Sequence, residues 1–293
     1  MYKIAFVSGK GGTGKTTIAI NFAKLLSYNV KTLLVDLDVE EPNDNLFFKY
    51  KVTDSTTYDF SPEFDLNKCT YCMECSKKCQ FGAIAVAPPN FLKFFEELCH
   101  GCTACKYICK YNAIKDSKKE IGTIYHNLDS IPSIVYGYLK NNSTMTTELI
   151  RQVKRFADDH KENFDLIVYD CPPGNSCPAI ESVKDANMII VVAEPTPFGL
   201  HDFKIMVETL KIINKPFNVF INKDDSNFVD LENFCINNNL KIVGKIKYNE
   251  TISKAYSRGS FIYKFKEVAK ELNSINKNIL DAVSNSNERN FNC

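Results

Sequence analysis

A chain of 293 residues is long enough to bury one large α/β core, or one core with a small module attached. Its 36 lysines and arginines nearly cancel 35 aspartates and glutamates, and a net charge of +1 gives no global argument for binding nucleic acid or a membrane surface. Twelve cysteines would suggest disulfides in a small secreted chain, but eight of them fall into two strictly spaced runs, which is the arithmetic of metal ligation in a reducing compartment.

In chain order, the strand-like run KIAFVS ends in glycines and is followed by TTIAINFAKLLS, whose apolar residues have helical spacing. KTLLVDLD is a second buried strand. After a break come a helix, TTELIRQVKRFADDH, and the strands DLIVYD and NMIIVVAEP. The helix HDFKIMVETLKIIN, the strand FNVFINK, a weaker strand KIVGKIKYN and a last helix, YKFKEVAKELNSINKNILDAV, complete the series. Short apolar strands alternating with helices predict an α/β fold with a parallel sheet covered on both faces. Leu272, Ile275, Ile279, Leu280 and Val283 should pack the last helix on the core, ahead of a frayed polar tail at 284–293. No run approaches the ~20 apolar residues of a membrane span, and YKIAFVS is unlike the start of a signal peptide. The expected location is the cytoplasm.

Between about Phe60 and Ser117 the texture changes to cysteines, lysines and short turns. CTYCMECSKKCQFGAI from Cys69 repeats as CHGCTACKYICKYNAI from Cys99, and each copy ends in an Ala-Ile pair. A repeat of this size is one small pseudo-symmetric domain. The expected division is 1–59 and 119–283 for the α/β domain, 60–118 for the insert and 284–293 for the tail.

Gly9-Lys10-Gly11-Gly12-Thr13-Gly14-Lys15-Thr16 fits G-x-x-x-x-G-K-[ST] between a strand and a helix, as a phosphate-binding loop requires. Glycines let backbone N–H groups curl around phosphate oxygens, and the helix N-terminus adds its dipole. Lys15 would neutralise the β- and γ-phosphates and Thr16 would ligate Mg²⁺. With its second lysine the loop resembles that of the MinD/ParA-type (SIMIBI) P-loop ATPases, the deviant Walker A type shared with the nitrogenase iron protein and Mrp-type cluster carriers.

The resemblance covers roughly residues 1–58 and 120–272, and it implies roles for particular residues. Lys10 would reach across a nucleotide-sandwich dimer to the partner subunit's phosphates, as an arginine finger does. Asp38 in LLVDLDVEEPN would be the switch I acid that positions the attacking water, with Asp36 structural. In FDLIVYDCPPG, Asp170 would hold Mg²⁺ through water and Gly174 would sense the γ-phosphate. Asn222 in VFINK would recognise adenine. The implied catalytic set is Lys10, Lys15 and Asp38, and the nucleotide-binding set runs from Gly9 through Thr13, Gly14 and Thr16 to Thr17.

The spacings Cys69-x2-Cys72-x2-Cys75-x3-Cys79 and Cys99-x2-Cys102-x2-Cys105-x3-Cys109 resemble bacterial two-cluster ferredoxins, in which the fourth cysteine of each run ligates the other cluster. Carried over, one [4Fe–4S] cluster uses Cys69, Cys72, Cys75 and Cys109, and the second uses Cys99, Cys102, Cys105 and Cys79. Zinc is the alternative for any Cys-x2-Cys pair. Gln80 and Lys110 stand where that family usually has proline. His100 reads as a loop residue. Lys77, Lys78, Lys106 and Lys110 form either a solvated basic face or a docking surface for an acidic redox partner. Cys177 lies at the offset from Asp170 at which the nitrogenase iron protein places a cluster ligand. It is either that or a small packing residue, as is Cys171. Cys235 and Cys293 carry no signal.

Together these features resemble MinD-superfamily ATPases containing an inserted ferredoxin domain. The resemblance implies a Mg·ATP-dependent ATPase that dimerises, with itself or a similar chain, and couples its nucleotide state to electron transfer through two [4Fe–4S] clusters and a redox partner protein. Neither nucleic acid nor membrane is expected as a partner. The competing reading is an ATP-gated iron–sulfur cluster carrier or assembly factor.

Overall fold

Five of the six residues of β1 (Tyr2–Val7) are buried, as are all five of β2 (Thr32–Asp36), so both faces of these strands must be covered. A computed structural model describes residues 1–290 and shows how. After β1 come α1 (Lys15–Leu26) and β2, then β3 (Thr53–Phe64) and a small region holding α2 (Glu74–Lys78), β4 (Ile84–Ala87), β5 (Phe91–Phe94) and α3 (Ala104–Ile108). The chain returns through β6 (Ile114–Asn127), β7 (Ser133–Leu139), α4 (Thr146–Asp159) and β8 (Leu166–Asp170). Next are α5 (Cys177–Val183), β9 (Met188–Ala193), α6 (Pro197–Ile212), β10 (Phe217–Asp224) and α7 (Asp230–Asn237). The described chain closes with β11 (Ile242–Lys247), α8 (Glu250–Ser257) and α9 (Lys266–Asn290).

The main sheet has the order β11-β10-β9-β1-β8-β2-β7-β6-β3. From β11 to β7 every pairing is parallel, whereas β6 runs antiparallel to both β7 and β3. The expected parallel sheet therefore carries a two-stranded antiparallel extension. Side chains alternate between two cores. Ala5 and Val7 join the layer of α4, α6 and α7, while Ile4 and Phe6 join the layer of α1 and α9. The apolar residues expected of the last helix do pack here: Leu272, Ile275, Ile279 and Val283 are buried and Leu280 is partly so. The helix continues to Asn290, so most of the expected tail is helical; the last three residues lie outside the described ones.

β3 and β6 form one long ladder from Thr53↔His126 to Phe64↔Ile114, and the expected boundaries at 60 and 118 fall inside it. Residues 65–113 sit at its far end. Their backbone repeats at an interval of 30 residues. Left-handed conformations occur at Tyr71 and Gly101, at Met73 and Thr103, and at Gly82 and Asn112. Asp65 N–H donates to Ala113 O and Phe95 N–H to Ala83 O, both at 2.8 Å. Ile84, Cys105 and Ile114 form a small core of their own.

Candidate functional site

The loop between β1 and α1 turns through left-handed glycines, Gly12 at φ 81° and Gly14 at φ 88°. A Cβ on Gly14 would lie 2.1 Å from Asn222 Nδ2, so the position also demands glycine on steric grounds. The loop borders a cavity of about 420 Å³ whose lining includes Gly11, Gly12, Lys15, Thr16, Asp38 and Asn222. Thr13, Gly14 and Thr17 line it too. Four of the expected site residues do not. A Cβ on Gly9 would overlap Asp202 O of α6, so this glycine serves close packing. Gly174, at φ 86°, donates its N–H to Ser8 O at 2.9 Å and thereby braces the loop. Lys10 Nζ lies 2.5 Å from Glu194 Oε1. Asp170 sits below the loop, where it accepts from Lys15 Nζ at 2.5 Å and from Thr16 Oγ1 at 2.6 Å.

Asn222 donates one of its two amide hydrogens to Thr13 O at 2.8 Å, which braces the loop. The far wall of the cavity is made by Tyr248, Asn249, Ile252 and Tyr256, and Glu41 and Asn43 stand beside Asp38. The four far-wall residues come from the stretch KYNETISKAYSRG, which begins at the end of β11. Asn249 organises it by accepting from Thr251 N–H at 2.8 Å and capping α8.

Asp36 accepts backbone N–H bonds from Asp38, Asn43 and Asp44, at 2.9, 2.9 and 3.1 Å, and so folds the segment that presents Asp38. Burial, reinforced by the Asp170 carboxylate, pushes Asp36 up to about 7. Burial likewise pushes Asp38 up to about 6, against the pull of Lys15. Asp44 is fully buried, and no N–H or O–H among the described residues donates to either of its oxygens. Carboxylate atoms of Asp36, Asp44 and Asp170 lie within 4.8 Å of one another. Burial, with Asp36 and Asp170 alongside, holds Asp44 well above the usual carboxylate range. The orphaned Asp44 carboxylate beside buried Asp36 and Asp170, the latter bonded to Thr16 Oγ1, suits a hard divalent cation such as Mg²⁺.

The cysteine runs surround two further cavities. One is lined by Cys69, Cys72, Cys75 and Cys109, and the other by Cys79, Cys99, Cys102 and Cys105. Each set takes three residues from one run and the fourth from the other. The left-handed residues at 71, 73, 101 and 103 are what curl each Cys-x2-Cys-x2-Cys loop. Burial pushes the Cys105 thiol up to about 11 and raises Cys75 and Cys99 as well. Cys72 and Cys102 are exposed. His100 stacks on Phe81 with ring centroids 4.0 Å apart. Lys106 pairs with Asp116 at 2.6 Å and Lys77 with Glu74 at 3.6 Å, while Lys78 and Lys110 are exposed. Cys177 is exposed at the start of α5, Cys171 and Cys235 are buried, and Cys293 lies outside the described residues. No helix among the described residues is long and apolar enough to cross a membrane.

Comparison with known proteins adds to this geometry. An uncharacterised protein of Methanocaldococcus jannaschii, MJ0578, is 31% identical over 229 residues, covering 78% of this chain and 80% of that protein. The sporulation initiation inhibitor protein Soj of Bacillus subtilis is 22% identical over 219 residues, 73% of this chain and 67% of Soj. The cell division protein MinD of Aquifex aeolicus shares the fold with a TM-score of 0.57, covering 96% of this chain and 98% of MinD at 16% identity. The model of the CobQ/CobB/MinD/ParA nucleotide-binding domain matches residues 4–262, and to that family this chain belongs.

Proposed function

We propose that this MinD/ParA-like ATPase is a dimerising, Mg·ATP-hydrolysing protein whose nucleotide state is coupled to electron transfer through two [4Fe–4S] clusters. One observation carries the redox half: two separate cavities, each walled by four cysteines drawn crosswise from the two runs. The two Cys-x2-Cys-x2-Cys-x3-Cys runs, identical in spacing, support iron–sulfur over zinc. Held there, a cluster supplies a one-electron carrier. The chain supplies its thiolates, and the exposed Cys72 and Cys102 offer one edge of each site to a redox partner.

On the nucleotide side, Lys15 exchanges Asp170 for the β- and γ-phosphates when ATP enters. Thr16 and Asp170 would hold Mg²⁺, which would neutralise phosphate charge, and Asp38 would orient the attacking water. Lys10 must leave Glu194 to reach the phosphates held by a partner subunit.

The test is chemical analysis and redox titration of anaerobically purified protein. About eight irons and eight sulfides per chain are expected from two cubanes. Midpoint potentials are then compared without nucleotide, with Mg·ADP and with a non-hydrolysable ATP analogue. A shift of about 59 mV for a one-electron step corresponds to tenfold coupling. Stoichiometric zinc without iron would overturn the redox half, and identical potentials in all three states would overturn the coupling.

A further inference from the structure

We infer that the segment from Lys140 to Thr146, leading into α4, relays the nucleotide state to the loop carrying Cys99 and Cys102, and not to its pseudo-symmetric counterpart carrying Cys69 and Cys72. The inference rests on the coupling proposed above and assigns it a route and a receiver.

The route begins at switch I. Asp38 and Glu41 line the nucleotide cavity, and between them Glu40 accepts a hydrogen bond from Thr146 Oγ1 at 2.7 Å. Leu139 N–H donates to Val39 O at 2.8 Å, so the end of β7 is stitched to the same segment. A triphosphate brings several negative charges against Asp38 and Glu41, and these carboxylates must shift or recruit Mg²⁺. Glu40, two residues after Asp38 and next to Glu41, moves with them.

The segment's other end touches the β3/β6 ladder and the cysteine region beyond it. Thr144 Oγ1 donates to Glu97 O at 3.2 Å, two residues before Cys99. Lys140 N–H donates to Ile121 O at 2.9 Å in β6, and Lys119 of that strand donates its ammonium to Glu96 O at 3.1 Å and to Cys99 O. A Cβ on Gly101 would meet Asp59 Oδ2 at 2.1 Å, so β3 lies directly against the same loop. α4 adds a second strut, because Gln152 Nε2 donates to Tyr58 O at 3.1 Å. It also holds α5, the helix after Asp170 and Gly174, through Arg151 to Glu181 Oε2 at 3.2 Å and Lys154 to Glu181 O at 2.7 Å. The segments after β2 and β8 thus converge on one helix and its leading loop.

The strand β3 sets the order. Phe60 and Pro62 border the Cys79/Cys99/Cys102/Cys105 cavity, and Phe64, farther from the nucleotide domain, borders the other. Among the described residues, no hydrogen bond or ion pair joins 140–159 to 65–83. The two loops share their cysteine spacing and their left-handed backbone positions, so the second is an internal control for the first.

Hydrogen exchange read by mass spectrometry tests this on the full chain. Between Mg·ADP and a non-hydrolysable ATP analogue, amide exchange in 96–102 should change about fivefold or more, while 66–72 stays constant. In Thr144→Val with Thr146→Val the change at 96–102 should vanish with nucleotide affinity retained. Thr144→Ser with Thr146→Ser keeps both hydroxyls and should restore it. Equal responses in the two loops, no response in either, or a response that survives the valine pair would overturn the relay. Absence of iron in the purified chain would instead overturn the redox reading, so the two failures are distinguishable.

Discussion

The two lysines of the phosphate loop stand in different environments, and their substitutions should separate accordingly. Lys15 is buried against Asp170, with Asp36 and Asp44 close by, and it is the cation that this buried cluster holds. Lys15→Ala should abolish ATP binding and also destabilise the nucleotide-free protein, because it leaves buried carboxylates without a counter-charge. Lys10 lies outside the cavity on Glu194. Lys10→Ala should therefore leave ATP affinity within a few-fold and lower turnover by ~10³, the scale of a lost arginine finger. Equal losses of affinity in isothermal titration would refute the division of labour. Asp44 gives a pH test. Its folded-state pKa is raised above the ordinary 3.8, first by burial. Over the window from 3.8 up to the raised value the folded protein keeps a proton that the unfolded chain has released, so stability falls as pH rises. Asp44→Asn has no such proton. It should therefore stabilise the nucleotide-free protein more at pH 8 than at pH 5. Parallel melting curves for the two proteins across that range would contradict this.

At the scale of elements, what the sequence disclosed follows from burial. β1, β2, β8, β9 and β10 are covered on both faces and therefore read as short apolar runs. β3 and β6 escaped notice because much of each is solvated and polar: Thr53 to Thr56 are exposed, and exposed Lys118 and Glu120 alternate with half-buried Ser117 and Lys119. β7 was missed for another reason. Its run SIVYGYL is interrupted by Gly137, which reads as punctuation but is a packing site. A Cβ on Gly137 would meet Val153 Cγ2 at 2.7 Å and Val39 Cγ1 at 2.8 Å, and Gly122 on the neighbouring strand faces Leu149 in the same way. These two glycines let α4 approach the sheet. Gly137→Ala should cost about 1–3 kcal/mol, the usual range for overpacking, measured by urea unfolding. An unchanged midpoint would mean that α4 is not held as tightly as its contacts imply. The signature loop was legible because its function fixes both residue types and spacing. The partner of Lys10, Glu194, and the hydrogen bonds of Thr144 to Glu97 and of Thr146 to Glu40 depend on tertiary approach, which no local pattern encodes.

For the whole molecule, crossing of the two cysteine runs is a statement about topology. Two self-sufficient runs would form independent lobes that could separate. Crossed runs make each site depend on both halves of 65–113, in keeping with the shared small core of Ile84, Cys105 and Ile114 and with the reciprocal backbone bonds at Ala83 and Ala113. Paired alanine substitutions distinguish these architectures by iron count alone. Cys69→Ala with Cys109→Ala removes two walls of the same cavity, whereas Cys99→Ala with Cys109→Ala removes one wall of each. With crossed ligation the first pair should retain one intact cluster, about four irons, and the second should retain none. With self-contained runs the outcomes exchange: Cys99 and Cys109 would belong to one site, and that pair would be the one to keep about four irons. Because both proteins lack the same number of thiols, a general loss of stability would lower the two counts together. Only the topology of ligation makes them differ.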